Sequence, residues 1–218
     1  MPDPERFLIT RPRHETMVFY LHQWSTRLIQ DAEEEGLTVH DLEEEEAKRD
    51  KFESYMGGVE PRLIVLNGHG DAERVGGHED EPILVKDEND DTTTDKLFYV
   101  RTCRSAAELG RSCVENHDAD AFIGYEGEFT LVWNGNRSAN PLQDRVAQPI
   151  MEASNAAPRA LIKGKTVEEA YEAGQEAYQD AMEKVLADYD LGNRDVFTAL
   201  ASNRERQVVL GTPSSSLS

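Results

Sequence analysis

The sequence predicts an α/β domain of three layers, with a mostly parallel central sheet and helices on both of its faces. Short apolar runs alternate with longer segments in which apolar residues recur every three or four positions. The runs are apolar at successive positions, which is typical of strands buried on both faces. The 218 residues, 38% of them hydrophobic, provide for one core. We therefore expect a single domain over residues 1–212 and a disordered serine-rich tail over residues 213–218.

The predicted strands are short, and proline, glycine or polar turn residues separate them from their neighbours. They span residues 7–10, 37–42, 63–66, 82–85, 97–100, 121–125 and 207–210. Residues 129–133 are also apolar, so they extend or pair with the strand that precedes them. Because helices separate most of these runs, we expect parallel strands joined by right-handed crossovers.

The predicted helices carry their apolar residues on one face. They span residues 17–36, 43–56, 105–116, 141–156 and 167–186. The last of them has the strongest pattern, and Thr166 with Glu169 forms a capping box at its start. Cys113 lies on the buried face of the third helix, where a free cysteine acts as a small hydrophobic residue.

The charge balance is strongly acidic, with 43 Asp and Glu against 23 Lys and Arg and a net charge of −20. Such a surface repels phosphate groups, so we expect no nucleic-acid partner and no binding to an anionic membrane. The cations are 16 Arg and 7 Lys. With the acidic excess, this ratio indicates adaptation to high salt, and we expect folding to depend on ionic strength.

Two cysteines ten residues apart form no CxxC motif and no secreted disulfide framework. The N-terminal segment lacks the cations and the apolar stretch of a signal peptide, and no apolar window is long enough to cross a membrane. These features predict a cytoplasmic protein.

Chemistry-bearing residues follow two of the predicted buried strands. His69 follows the third strand, and Cys103 follows the strand at residues 97–100. Ligands of open parallel sheets bind beyond the carboxyl ends of the strands, so neighbouring strands would bring these side chains together. An imidazole could then take the proton of the thiol, and the amides of Gly70 and Cys103 could hold an oxyanion.

Both motifs together resemble those of the caspase-like cysteine peptidases. Residues 63–70, LIVLNGHG, are an apolar run that ends in His-Gly, and residues 98–106, FYVRTCRSA, are a run that ends in a small residue and cysteine. The segments AELG at 107–110 and DAFIGY at 120–125 are most similar to the CHAT-domain branch of that clan.

This resemblance implies a caspase-like fold and a cysteine endopeptidase that acts on a polypeptide substrate without a cofactor. It assigns His69 and Cys103 as the catalytic dyad. An activating partner protein is also implied, since members of the clan often require activation.

Two positions beside the cysteine depart from the family pattern. Thr102 stands where Ala or Ser is usual, and Arg101 stands where relatives that cleave after basic residues commonly carry Asp. A guanidinium there would favour an acidic residue before the scissile bond through bidentate pairing. Asp71, Glu126 or Glu128 could reach the same pocket and reverse this preference.

Two alternatives to an active peptidase stay open. The chain could be an inactive caspase-like module that binds a partner protein through the same cleft or through its helical C-terminal third. It could also be an enzyme that is silent until a partner or cleavage orders residues 86–95.

We expect no metal site from the sequence. His78, with His69, Asp71 and Asp80, offers ligand types in a short window, but the spacing matches no zinc template. The acidic segment 87–91 could bind calcium, although a solvated acidic loop is favoured.

Overall fold

A computed structural model describes residues 4–187 and 194–217 and contains a six-stranded sheet in the order β2-β1-β3-β6-β7-β8. Its strands are β1 (Arg6–Arg11), β2 (Thr38–Glu43), β3 (Leu63–Asn67), β6 (Leu97–Arg101), β7 (Ala121–Tyr125) and β8 (Gln207–Gly211). All neighbours are parallel except β7 and β8. The mostly parallel sheet that the sequence predicts is therefore confirmed.

A separate antiparallel hairpin lies between the third and fourth strands of the main sheet along the chain. It consists of β4 (Arg74–Gly76) and β5 (Pro82–Val85). The sequence predicts β5 but not β4, whose three residues are too few to show a pattern. The hairpin approaches the loop after β3, since the Gly76 amide donates to the carbonyl of His69 at 2.9 Å.

Helices cover both faces of the sheet, as predicted. They are α1 (Thr16–Glu34), α2 (Arg49–Gly58), α3 (Leu109–Glu115), α4 (Gln148–Ile162), α5 (Val167–Ala187) and α6 (Arg194–Arg206). Even-numbered strand residues such as Leu8 and Ile64 pack with α2 and α3. Odd-numbered ones such as Ile9 and Val65 pack with α1, α4 and α5. None of the helices in the described ranges is both long enough and apolar enough to cross a membrane.

Three predicted helices begin later than the sequence indicates. The segment predicted at 43–56 starts with a short 3-10 turn, and the α-helix begins at Arg49. In the segment predicted at 105–116, Ala106 donates its amide to Tyr125 of β7, so helical hydrogen bonding begins only at Leu109. The helix predicted at 141–156 is α4.

The predicted extension at residues 129–133 is wrong. The Thr130 amide donates to the Asn203 side chain of α6 at 2.8 Å, and the Thr130 carbonyl accepts from the same side chain at 2.8 Å. At Thr130 these bonds take the place of the ones that a neighbouring strand would make.

The predicted tail is ordered over its described residues. The carbonyls of Pro213 and Ser215 accept the amides of Glu168 and Val167 at 2.9 Å, and Leu217 is buried. The tail therefore satisfies helix N-terminal donors of α5 that have no intrahelical partner. Together with the confirmed capping box at Thr166, it fixes the start of α5. Ser218 lies outside the described residues.

The segment 86–95, whose acidic part 87–91 was expected to be a solvated loop, is anchored in the core. Asn89, Asp90 and Thr93 are buried, and a carboxylate oxygen of Asp90 accepts a hydrogen bond from Ser112 of α3 at 2.6 Å. The central carboxylate of this segment is thus directed into the protein.

Candidate active site

The loops that carry His69 and Cys103 leave the sheet side by side. Strands β3 and β6 are parallel neighbours, and Asn67 is paired in register with Arg101. The loops also touch, since a Cβ atom added at Gly70 would lie 2.8 Å from the hydroxyl oxygen of Thr102. The sequence expectation that these strands are neighbours is therefore confirmed.

The backbone of both loops is unusual. Gly68 has φ +152°, and a Cβ atom there would collide with the carbonyl of Gly76 in β4. Only glycine fits this position, because it combines a left-handed φ with a close backbone approach. Arg104, directly after Cys103, has φ +55°. Such conformations in residues other than glycine cluster at functional sites.

His69 faces a carboxylate that the sequence analysis did not single out. The Nε2 atom of His69 lies 3.2 Å from Oε1 of Glu15. Glu15 is the N-cap of α1 and accepts the Val18 amide at 2.7 Å, which fixes its side chain. Glu15 follows β1, whose carboxyl end lies at the same sheet edge, so this topological argument could have found it.

Cys103 is half-buried, and its thiol is protonated at neutral pH in this conformation. Burial and the neighbouring carboxylate of Glu128 raise the pKa of Cys103 to about 11. Glu128 itself forms an ion pair with Arg104 at 2.9 Å. The Cys103 Sγ atom lies 3.9 Å from the carbonyl oxygen of Phe129. The thiol is therefore in contact with the segment that follows β7.

Two amides at the site have no partner within the protein. Across the described ranges, neither the Gly70 amide nor the Cys103 amide donates a hydrogen bond to another residue. The flanking amides do so, since Asp71 donates to the carbonyl of Arg74 and Arg104 to that of Gly127. Neither amide is therefore used by the hydrogen bonds that hold the two loops.

Arg101 does not line the site, which corrects the sequence expectation. Its side chain is fully buried, and the guanidinium donates to Asn67, Ser154, Asn155 and Ser25 at 2.7–3.0 Å. These bonds use all five of its N–H groups. Position 101 is odd-numbered in the sheet and faces α1 and α4, so Arg101 cannot pair with a substrate side chain.

Asp71 and Glu126, the other predicted substrate contacts, already have cationic partners. Asp71 accepts from Arg74 at 3.0 Å, and Glu126 accepts from Arg111 at 2.7 Å. Partial burial acts on the pKa of Asp71 in the upward direction, but hydrogen bonds from the backbone and from Arg74 outweigh it and lower that pKa. Asp71 and His69 line a cavity of about 160 Å³. This volume is below the roughly 300–1,000 Å³ of cofactor and drug sites.

Comparison with known proteins concerns the fold. No family model matches the sequence, and no curated protein matches it. Solved structures, however, match this chain. The Arg-specific cysteine proteinase gingipain R (RgpB) superposes with a TM-score of 0.60 at 12% identity over 96% of this chain. The chain has the caspase-like fold. A structure described only as a protease has a TM-score of 0.58 at 18% identity over 99% of this chain.

The likeness extends over part of those proteins only. The caspase-like chain spans 46% of gingipain R and 49% of the structure described as a protease. In a complex of the pro- and mature domains of Porphyromonas gingivalis RgpB, the TM-score is 0.58 at 11% identity, and the chain spans 47% of that protein. At such identities the likeness establishes the fold, while function depends on the residues of the site.

Proposed function

We propose that this caspase-like chain is a cysteine endopeptidase in which Cys103 is the nucleophile and His69 the general base. The observation that carries the proposal is the contact between two loops that hold a thiol, an imidazole with a carboxylate partner and two free amides. A nucleophile, a base and a group that orients the base form the minimal set for acyl transfer. Glu15 takes the orienting role.

The proposed mechanism assigns one role to each of these groups. His69 takes the proton of Cys103, and the thiolate attacks the peptide carbonyl to form a carbon–sulfur bond. The amides of Gly70 and Cys103 hold the oxygen as it becomes negative. Protonated His69 then gives its proton to the leaving amine as the carbon–nitrogen bond breaks. Water, deprotonated by His69, hydrolyses the thioester and regenerates the thiol.

The proposed substrate is a polypeptide, and the basis for a preference for acidic residues is lost. The burial of Arg101 removes the guanidinium that was expected to pair with such a residue. The cavity beside His69 contains Arg74 together with Asp71 and Asp80, so both signs of charge are present. A library that varies the residue before the scissile bond therefore has to include acidic and basic side chains equally.

The state of Cys103 supports a second candidate, a chain that awaits activation or serves only to bind a partner protein. A thiol with a pKa of about 11 holds little thiolate at neutral pH. A partner or substrate that displaces Glu128 would remove one cause of this high pKa. We further propose membership of the CHAT branch, on the motifs at 107–110 and 120–125, and a cytoplasmic setting without nucleic-acid partners.

Hydrolysis of that peptide library tests the proposal. We expect the wild type to cleave, and Cys103→Ala and His69→Ala to lose at least about a thousandfold in kcat/KM, because each removes a member of one catalytic unit. Cys113→Ala is the matched control, since it makes the same change at a buried cysteine in α3. It should retain cleavage.

Two outcomes contradict the peptidase. Cleavage that survives Cys103→Ala would exclude Cys103 as the nucleophile. Failure of the wild type to cleave, combined with a Cys103 thiol that iodoacetamide does not modify at pH 7–9, would favour the binding module. The alkylation is best measured in the Cys113→Ala variant, where Cys103 is the single thiol.

A further inference from the structure

Three histidines from separate parts of the chain meet beside the candidate dyad. The ring centre of His14 lies 6.4 Å from that of His69 and 5.8 Å from that of His78, and both pairs are edge-on. His14 belongs to the loop after β1, His69 follows β3, and His78 lies between β4 and β5. We propose that these three side chains bind one zinc ion, and that the bound zinc withdraws His69 from catalysis.

In both His14 and His69, Nε2 faces a carboxylate, which leaves Nδ1 for a metal. Nε2 of His14 lies 3.1 Å from a carboxylate oxygen of Asp80, and Nε2 of His69 lies 3.2 Å from one of Glu15. A carboxylate that holds the second ring nitrogen is the usual arrangement for a metal-binding histidine, because it fixes the tautomer and raises basicity. In both rings the metal ligand would be Nδ1.

Two of these nitrogens lack any partner despite their burial. The Nδ1 atoms of His14 and His78 are buried and make no hydrogen bond. Most buried polar atoms in proteins are satisfied, so an orphan atom calls for an explanation such as an ion. Two orphan ring nitrogens on histidines in direct contact are explained together by one shared ion.

The ligand nitrogens of His14, His69 and His78 do not all lie within 4.8 Å of one another, so the three rings have to close around the ion. Two imidazoles bound to one tetrahedral zinc ion, with Zn–N distances of about 2.0–2.1 Å, have ring centres roughly 5 Å apart. The observed 5.8 and 6.4 Å are slightly wider. The side chain of His69 is 41% exposed and can rotate towards His14, whose side chain is 13% exposed. The ion would draw His69 to itself.

The ligand atoms and charges select the metal. Imidazole nitrogens suit zinc, whereas calcium and magnesium prefer oxygen ligands. The carboxylates of Asp80 and Glu15 lie at the back of the rings and favour a cation between them. The net charge of −20 adds a field that attracts cations to the whole surface.

A second group of possible ligands is less suited to a metal. His22, Glu43 and Glu44 have ligand atoms within 4.8 Å of one another. However, Arg11 lies 3.1 Å from Glu43, and Arg13 lies 2.7 Å from Glu44. Two guanidinium groups already neutralise these carboxylates and would repel an added cation. This group provides the control for the experiment below.

Zinc affinity, measured by competition with a colorimetric chelator, tests the proposal. The background is Cys103→Ala, so that this thiol cannot bind the metal and the result is independent of peptidase activity. We expect one zinc ion per chain and a Kd at least tenfold higher after His14→Gln or His78→Gln. Asp80→Asn, which removes only a partner of a ligand, should raise the Kd by about 10–100-fold. Glu44→Gln should leave it unchanged.

Three results would overturn the metal site: no zinc binding, unchanged binding in a His14→Gln/His78→Gln double variant, or binding that Glu44→Gln abolishes. The inhibitory role rests on the proposed function and is tested separately. Zinc should block cleavage by the wild type, EDTA should restore it, and His14→Gln should resist zinc. Undiminished cleavage in saturating zinc overturns that role. If the chain cleaves nothing, the peptidase proposal fails while the binding result stands on its own.

Discussion

The environment of Cys103 shows how burial and one neighbouring carboxylate together raise the pKa of a thiol. Burial comes first among the causes of its high pKa, and the carboxylate of Glu128 adds to it. A carboxylate beside a thiol disfavours the thiolate by like-charge repulsion and accepts the thiol hydrogen. Position 128 was considered at the sequence level only as a substrate contact, because charge effects on a thiol require the fold.

Glu128→Gln should make Cys103 more reactive. Removing the carboxylate lowers the pKa of the thiol from about 11, so more thiolate is present at any pH below that value. Iodoacetamide should modify the Cys113→Ala/Glu128→Gln protein several-fold faster at pH 8, and the midpoint of its pH–rate profile should move downwards. Glu108→Gln, which removes an exposed carboxylate paired with Lys86, is the control. An unshifted profile would contradict this account.

Arg101→Met should reduce stability and leave specificity alone. The substitution deprives buried oxygens of Asn67, Ser154 and Asn155 of their donors. We expect the free energy of unfolding to fall by about 3 kcal/mol or more in urea denaturation, since each orphaned buried group costs about 1–3 kcal/mol. Arg111→Met, at an exposed ion pair, should cost about 1 kcal/mol or less. A stable variant with an altered substrate preference would restore the sequence-based assignment.

His69 and Cys103 could be located from sequence because each lies three positions after the last residue of an apolar run. Glu15 was not singled out, because three residues separate it from the end of β1 and a carboxylate at a helix start is explained by capping alone. The role of Arg101 was misjudged because alternation along β6 determines which face each side chain takes, and a run buried on both faces hides that alternation.

Among the elements, the turn after β3 has little tolerance for a side chain at Gly68. Gly68→Ala should disrupt it, because the added methyl group meets the Gly76 carbonyl at a φ that side chains rarely adopt. We expect a lower thermal midpoint and, if the chain cleaves peptides, a loss of kcat. Gly57→Ala in α2 is the matched control, since nothing lies within 4 Å of its added atom. It should be neutral or stabilising by up to about 1 kcal/mol. Equal behaviour of the two variants would contradict this argument.

Elements with a strong hydrophobic periodicity were predicted from the sequence. Elements that depend on side-chain hydrogen bonds to distant residues were not. The period of α5 and its capping box placed that helix within one residue of its observed bounds. In contrast, α6 is polar, with Val196, Ala199 and Leu200 as its buried apolar residues, and no helix was predicted there. Its interaction with Thr130 through Asn203 depends on the tertiary structure, which a local pattern does not contain.

For the molecule as a whole, the charge of −20 predicts a response to salt. Repulsion among the carboxylates destabilises the folded state, and ions screen it within about 10 Å at 0.1 M and 3 Å at 1 M ionic strength. The thermal midpoint, followed by circular dichroism, should therefore rise from dilute buffer to molar KCl. NaCl at equal concentration should act alike, because screening does not depend on the identity of the cation. A flat or falling midpoint would contradict adaptation to high salt.

The overall topology followed from the alternation of strands and helices, while the direction of the last strand did not. Helices were predicted before β8, which favours the crossover of a parallel strand, whereas β8 pairs antiparallel with β7. The tail was misjudged because its serine-rich composition suggests disorder, whereas the amides at the start of α5 provide it with partners.

The pairing of β8 with β7 bears on the order in which the chain folds. Gln207 lies opposite Tyr125, 82 positions earlier, and the three helices α4, α5 and α6 lie between them. Closing a loop of this length costs conformational entropy before any contact between its ends stabilises the fold. Such pairings therefore form late. On the ribosome, β1, β3, β6 and β7 emerge first, and β7 then has an unpaired edge that can aggregate until β8 arrives. The edge strand thus sets how long the nascent chain needs protection.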